Sequence, residues 1–202
     1  MCKTPEIIIG DEQQFAIGYS FFPRESNTSE NWPMNRCTEI RLFLSGADIM
    51  GFSRHGEHVQ PAWDFDDLVA WLDDFARDAH EEPFPIPNVP GSCLTELDDN
   101  ARDFDTDDQD EFDRYYDKLN DWVWNHSWFH ERAGAIIPYV LFRILGGNVE
   151  ISWDNRDAEE DVTFDSLTGH AFVPLATFRD VVSRFVAAYL KHWGGYAWDQ
   201  TA

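Results

Sequence analysis

The sequence predicts an α+β protein: a mainly antiparallel sheet built from hairpins, with about three helices packed on one face. Three observations lead there. Runs rich in β-formers come in neighbouring pairs joined by glycine-containing turns, the signature of hairpins. Three amphipathic stretches have helical spacing and do not alternate with the strands as βαβ units would. The 202-residue chain is 43% hydrophobic, with nine Trp, six Tyr and sixteen Phe, which supplies a sizeable core and excludes a disordered chain. No internal repeat is found, so residues 1–202 are read as one domain with an acidic, partly mobile insertion at about 83–110.

The elements follow in order. Residues 6–9 and 14–22 form a hairpin across Gly10-Asp11, and residues 23–35 are polar and loop-like. Residues 37–44 and 48–53 flank the turn Ser45-Gly46-Ala47. A helix then starts at Asp64, which can cap it, with Phe65, Leu68, Leu72, Phe75 and Ala79 on one stripe. Pro83, Pro85, Pro87 and Pro90 forbid helix and impose an extended segment. A second helix starts near Asp108, with Phe112, Tyr115, Leu119, Trp122 and His126 as its stripe. Residues 137–145 and 148–153 form a hairpin about Gly146-Gly147, 154–167 are loop-like, and 170–173 are a short strand. The last helix is capped by Thr177, carries Phe178, Val182, Phe185, Tyr189 and Trp193, and stops at Gly194-Gly195.

The formal net charge is −23, and it is concentrated. Residues 64–114 carry 18 acidic and 3 basic groups, net −15. The densest part is 98–111. Such a run repels itself, so part of it is expected to be a mobile loop. Three readings compete for it: a solvated loop, an acidic surface that docks a basic partner, and the acidic coat of a halophilic cytoplasm. Clustering counts against the last. Asp103, Asp105 and Asp107 alternate as in a calcium loop, but Asp108 and Arg114 replace the required glycine and glutamate. The charge argues against direct binding to nucleic acid or anionic membrane.

No stretch approaches a membrane span and no secretion signal is seen. Cys2, Cys37 and Cys93 suit neither a disulfide framework nor a metal site, so a cytoplasmic protein with reduced thiols is expected. His126 and His130 stand four apart and can share a helix face, but the zinc-peptidase pattern needs Glu where Ser127 stands. A histidine bonded to backbone is the preferred reading of His126. His80-Glu81-Glu82 fails the same pattern, since Phe84 stands where the second histidine is needed. His55-Gly56-Glu57-His58 reads as a solvated loop. No nucleophile elbow, Walker A or dinucleotide fingerprint occurs. No catalytic residue, metal ligand or cofactor is assigned.

Residues 124–153 contain Trp124, His126, Ser127, Gly134, Pro138, Phe142, Arg143, Glu150, Ser152 and Trp153. In that order they resemble a block in the accessory region of some bacterial ImmA/IrrE-like proteins, with looser likeness from about residue 38 onward. The family's metallopeptidase motif is absent. The resemblance therefore implies an accessory domain without its protease, in the setting of mobile elements, toxin–antitoxin control and phage conflict. Within the block, Arg143 and Glu150 face each other across the hairpin and can pair. Trp124 and Trp153 are expected to anchor helix to sheet, with Ser127 capping locally.

These readings converge on a non-enzymatic, acidic protein-binding module of a prokaryotic defence, toxin–antitoxin or phage-conflict system. It would act as inhibitor, immunity protein or partner subunit toward a basic toxin, nuclease or defence effector. The expected contact residues are Asp98, Asp99, Asp103, Asp105, Asp107, Asp108, Asp110 and Glu111. The alternative is a ligand- or metal-binding sensor that uses a pocket of His126, His130, Arg143 and Glu150.

Overall fold

A computed structural model describes residue 4 and residues 6–22 and 36–196. Cys2 and the expected loop at 23–35 lie outside the described residues. Strands β1 (Ile7–Asp11) and β2 (Phe15–Phe21) pair antiparallel in the expected hairpin. Only glycine fits at Gly10: φ is +110°, and a Cβ there would lie 2.3 Å from the Phe15 carbonyl oxygen. β2 is buried along its whole length and pairs with β3 (Cys37–Leu44). The far side of β3 takes two short strands, β4 (Ala47–Asp48) and β7 (Ala62–Asp64).

A second sheet sets β5 (Phe52–Arg54) between β6 (Glu57–Val59) and β10 (Val162–Phe164). His55-Gly56 is thus the turn of a β5–β6 hairpin, and 154–167 is not all loop. The third sheet runs β11–β9–β8, with β8 at Val140–Leu145, β9 at Asn148–Asp154 and β11 at Thr168–Pro174. All named pairings are antiparallel, and the class is α+β.

Helices α1 (Asp66–Asp78), α3 (Gln109–His126) and α4 (Leu175–Trp193) are those expected. Asp64 Oδ1 accepts from the Asp66 amide, and Asp108 Oδ1 accepts from the Glu111 amide. α4 starts two residues before Thr177, directly after Pro174, so Thr177 is not its cap. A fourth helix, α2 (Leu94–Ala101), was not expected; it occupies the start of the acidic run. A 3₁₀ turn at Trp128–Glu131 follows α3, with Ser127 Oγ accepting from the Phe129 amide.

The helices divide between the two faces of the third sheet. Along β8, Val140, Phe142 and Ile144 enter the main core with α1 and α4, whereas Leu141 enters a second core with α2 and α3. In the main core, Phe178, Val182, Phe185 and Tyr189 of α4 are fully buried, each worth roughly 1.5–3 kcal/mol of transfer free energy. A buried polar knot joins its elements: Asp66 accepts from Arg36 Nη1 and from the Tyr189 hydroxyl, both at 2.7 Å. In the second core, Phe84 meets Trp122 edge-on at 5.2 Å, so the proline segment packs against α3. Among the described residues, no helix is long and apolar enough to cross a membrane.

Candidate functional site

The acidic run is split by the fold. Residues 98–101 are the end of α2, 102–108 are a turn, and 109 onward is α3. Helix α2 has no local side-chain cap, since its N-cap residue is Cys93. Its first amides are instead held from β9: Glu150 Oε1 accepts from Leu94 N at 2.9 Å, and Ser152 Oγ from Thr95 N at 3.2 Å. Glu150 is fully buried, and its other oxygen takes Arg143 Nε and Nη2 at 2.8 and 2.7 Å. The carboxylate thus neutralises one guanidinium and faces the positive end of α2. The turn is held from α3, where Tyr115 donates to the Ala101 carbonyl at 2.8 Å and Tyr116 to that of Arg102 at 2.7 Å. Phe104 stacks on Tyr115 at 3.9 Å.

Of the eight expected contact residues, seven are exposed: Asp99, Asp103, Asp105, Asp107, Asp108, Asp110 and Glu111. Asp98 is a correction. It is 3% exposed, accepts from the Tyr139 hydroxyl at 2.9 Å and pairs with Arg102 at 3.0 Å, so it faces inward. Burial, and then the neighbouring Asp98, push the Tyr139 phenol far above its ordinary range. Among the exposed seven, Asp108 caps α3, Asp99 pairs with Arg156, and Glu111 accepts from Thr106. The carboxylates of Asp103, Asp105, Asp107 and Asp110 make no ion pair or hydrogen bond among the described residues. Four unneutralised carboxylates therefore project from a short, held segment.

Beside this turn lies a cleft of about 800 Å³ between α2, α3 and the 154–164 segment. Its floor is apolar and aromatic, from Val123, Phe129, Ile136, Tyr139, Val162 and Phe164. Its rim carries Asp99, Asp154, Asp157 and Glu159. Arg102 and Arg132 also line it, but the first pairs with Asp98 and the second lies 4.1 Å over the Phe129 ring. Burial, reinforced by Asp154, raises the Asp99 carboxyl above its ordinary value. The rim acids of 154–161 were missed by the sequence reading. Their signal was present as Asp154, Asp157, Glu159, Glu160 and Asp161 in one loop-like stretch.

A smaller recess of about 390 Å³ also borders Trp124, walled by Trp71, Phe75, His80 and His126 and edged by Asp74, Asp78 and Glu82. Trp124 was expected to anchor α3 to the sheet. That is corrected: Trp153 is buried, while Trp124 is 56% exposed and, among the described residues, stacks only on the His130 ring, at 3.9 Å. Trp124 lines both recesses.

The expected pocket of His126, His130, Arg143 and Glu150 is not assembled. His126 lines the small recess and His130 the large cleft, while Glu150 is sealed beneath α2. His126 Nδ1 donates to the Trp122 carbonyl at 2.8 Å, its ring stacks on Trp122, and Nε2 lies 3.8 Å from Glu82. Burial depresses the His126 pKa against the opposing pull of that carbonyl and of Glu82. No group of three or more His, Cys, Asp or Glu among the described residues is placed to hold a metal. Cys37 offers no ready nucleophile: burial, then Asp64 and Glu39, push its thiol up to about 11.

Fold and site together define an α+β chain with a hydrogen-bonded acidic turn beside an acid-rimmed aromatic cleft. No family model matches the chain, and no curated protein does. Among solved structures, the crystal structure of CdiI from Burkholderia dolosa AUO158 is similar over 90% of this chain and 99% of its own, at 11% identity and a TM-score of 0.43.

Proposed function

We propose that the protein is a non-enzymatic, acidic binding module that docks a basic face of another protein and blocks or controls it. The partner class is a toxin, nuclease or other effector of a prokaryotic conflict system, and the role is that of an inhibitor, immunity protein or partner subunit in the cytoplasm. One observation carries the reading: Asp103, Asp105 and Asp107, on a turn held by Tyr115 and Tyr116, and Asp110, in the first turn of α3, are exposed with unpaired carboxylates. Unneutralised charge raises the rate of encounter with a cationic surface by roughly 10- to 10³-fold at low salt. Holding the turn lowers the ordering entropy lost on binding. The conflict setting is part of this proposal, together with the expected likeness of residues 124–153 to the ImmA/IrrE accessory region.

The test starts from the full chain used to capture its partner in the native host. The association rate of the purified pair is then followed by stopped flow between 50 and 300 mM NaCl. The reading expects a partner with a basic binding face and a rate that falls at least tenfold. An acidic binding face, or a rate indifferent to salt, refutes it.

A further inference from the structure

We infer that the interface is centred on Trp124, and that it takes two arginine side chains of the basic partner, one in each of the two recesses that Trp124 lines. The inference rests on the reading of the protein as an acidic module and adds where the partner is anchored and by what chemistry. Trp124 is 56% exposed, whereas Trp122, two residues before it, is 4% exposed. An indole in water beside two concave sites is the residue type and placement of a binding hot spot.

The occupant follows from charge and shape. The large cleft presents Asp157 and Glu159, neither of which has an ion-pair partner among the described residues, and the small recess presents Glu82, which faces only the His126 ring, at 3.8 Å, among the described residues. The cations already present do not fill this demand: Arg102 is bound by Asp98, Arg132 lies on Phe129, and Arg77 is bound by Asp73, Asp74 and Asp78. His130 already covers one face of the Trp124 indole; a guanidinium is flat, stacks on the face left open, and binds a carboxylate through two parallel hydrogen bonds. A lysine ammonium satisfies the charge but not the stacking.

The experiment is an NMR titration of the full 15N-labelled chain with hexa-arginine and, separately, hexalysine. The Trp124 indole signal is identified by its loss in Trp124→Leu, an exposed position whose replacement leaves both cores intact. Hexa-arginine should shift that indole saturably and bind at least fivefold tighter than hexalysine. Trp124→Leu and the triple variant Glu82→Gln, Asp157→Asn, Glu159→Gln should each weaken binding at least tenfold with the remaining spectrum unchanged. If hexa-arginine shifts only amides of 103–111, this inference is overturned while the acidic-module reading stands. Equal binding of the two peptides also overturns it. If neither peptide shifts any signal, both readings fall.

Discussion

Replacing Glu150 by Ala removes the one carboxylate that serves the sheet, Arg143 and the start of α2 together. Its side chain is fully buried, and it accepts three hydrogen bonds at 2.7–2.9 Å. Breaking a buried ion pair by deleting one partner costs about 3–5 kcal/mol, because the other charge is left uncompensated. Arg143 keeps 15% exposure, so it recovers part of its hydration and the lower end applies. Losing the acceptor at Leu94 N adds a helix cap, about 1 kcal/mol. The expected total is about 4 kcal/mol, a large share of the 5–15 kcal/mol that typically holds a domain. Urea unfolding at pH 7 measures it, and amide exchange locates it: α2 amides should exchange fastest of the helical set. The double variant Arg143→Met, Glu150→Leu should recover most of the ion-pair cost but not the cap, leaving about 1 kcal/mol. A Glu150→Ala loss below about 1 kcal/mol, or α2 exchange equal to wild type, would refute this account of how α2 is held.

Three further outcomes are expected. His126 is held below its ordinary pKa by burial, so the unfolded chain takes up its proton first, near pH 6.5. Its contribution is therefore intact above about pH 6.5 and is lost as pH falls from there through the lower folded value; His126→Gln should flatten the decline in stability between pH 7.5 and 5.5, and an unchanged decline counts against it. Gly169 stands opposite Trp153 in the β9–β11 pair, and a Cβ there would lie 2.4 Å from the indole, so Gly169→Ala should cost about 1–3 kcal/mol in urea unfolding; a neutral result would show that the indole shifts freely. Replacing Asp103, Asp105, Asp107 and Asp110 together by Asn should slow association with the basic partner about tenfold at 50 mM NaCl and change dissociation little, whereas a pure dissociation effect would deny them a steering role.

What the sequence disclosed depended on the range of the interactions involved. The β8–β9 hairpin was legible because Gly146-Gly147 and the period of two place Arg143 opposite Glu150, and the pair forms. The start of α3 was legible because its cap, Asp108, is local. Helix α2 was not, because its cap comes from Glu150 and Ser152, more than fifty residues on, while the Cys93 side chain at the N-cap position bonds the Thr95 hydroxyl and caps no helix amide. Asp98 was assigned to the surface for the same reason: its partner Tyr139 lies 41 residues away. β10 has three residues and pairs with β5 more than a hundred positions earlier, so no local pattern marks it. Trp124 is different. The stripe of Tyr115, Leu119, Trp122 and His126 already turns position 124 away from the core, and reading the tryptophan by its apolar area overrode that periodicity.

The placement of Glu150 also ties the scaffold to the acidic turn. Arg143, Glu150 and Ser152 contribute no exposed carboxylate, yet Glu150 and Ser152 fix the helix whose end leads into Asp103, Asp105 and Asp107. A free acidic tail would carry the same charge and attract a basic partner from the same distance, but would lose more chain entropy on docking. Charge and order should therefore separate in kinetics. Glu150→Gln leaves every exposed carboxylate in place and keeps an acceptor for Leu94 N; it leaves Arg143 uncompensated, so α2 is held less firmly, and urea unfolding first establishes that the variant is folded. Its association rate with the basic partner should match wild type within about twofold, and dissociation should quicken about tenfold, since a loosened turn loses roughly one immobilised residue's worth of ordering entropy, about 1–2 kcal/mol. Unchanged dissociation would mean that the turn binds as a flexible polyanion, and that the order imposed by α2 serves stability alone.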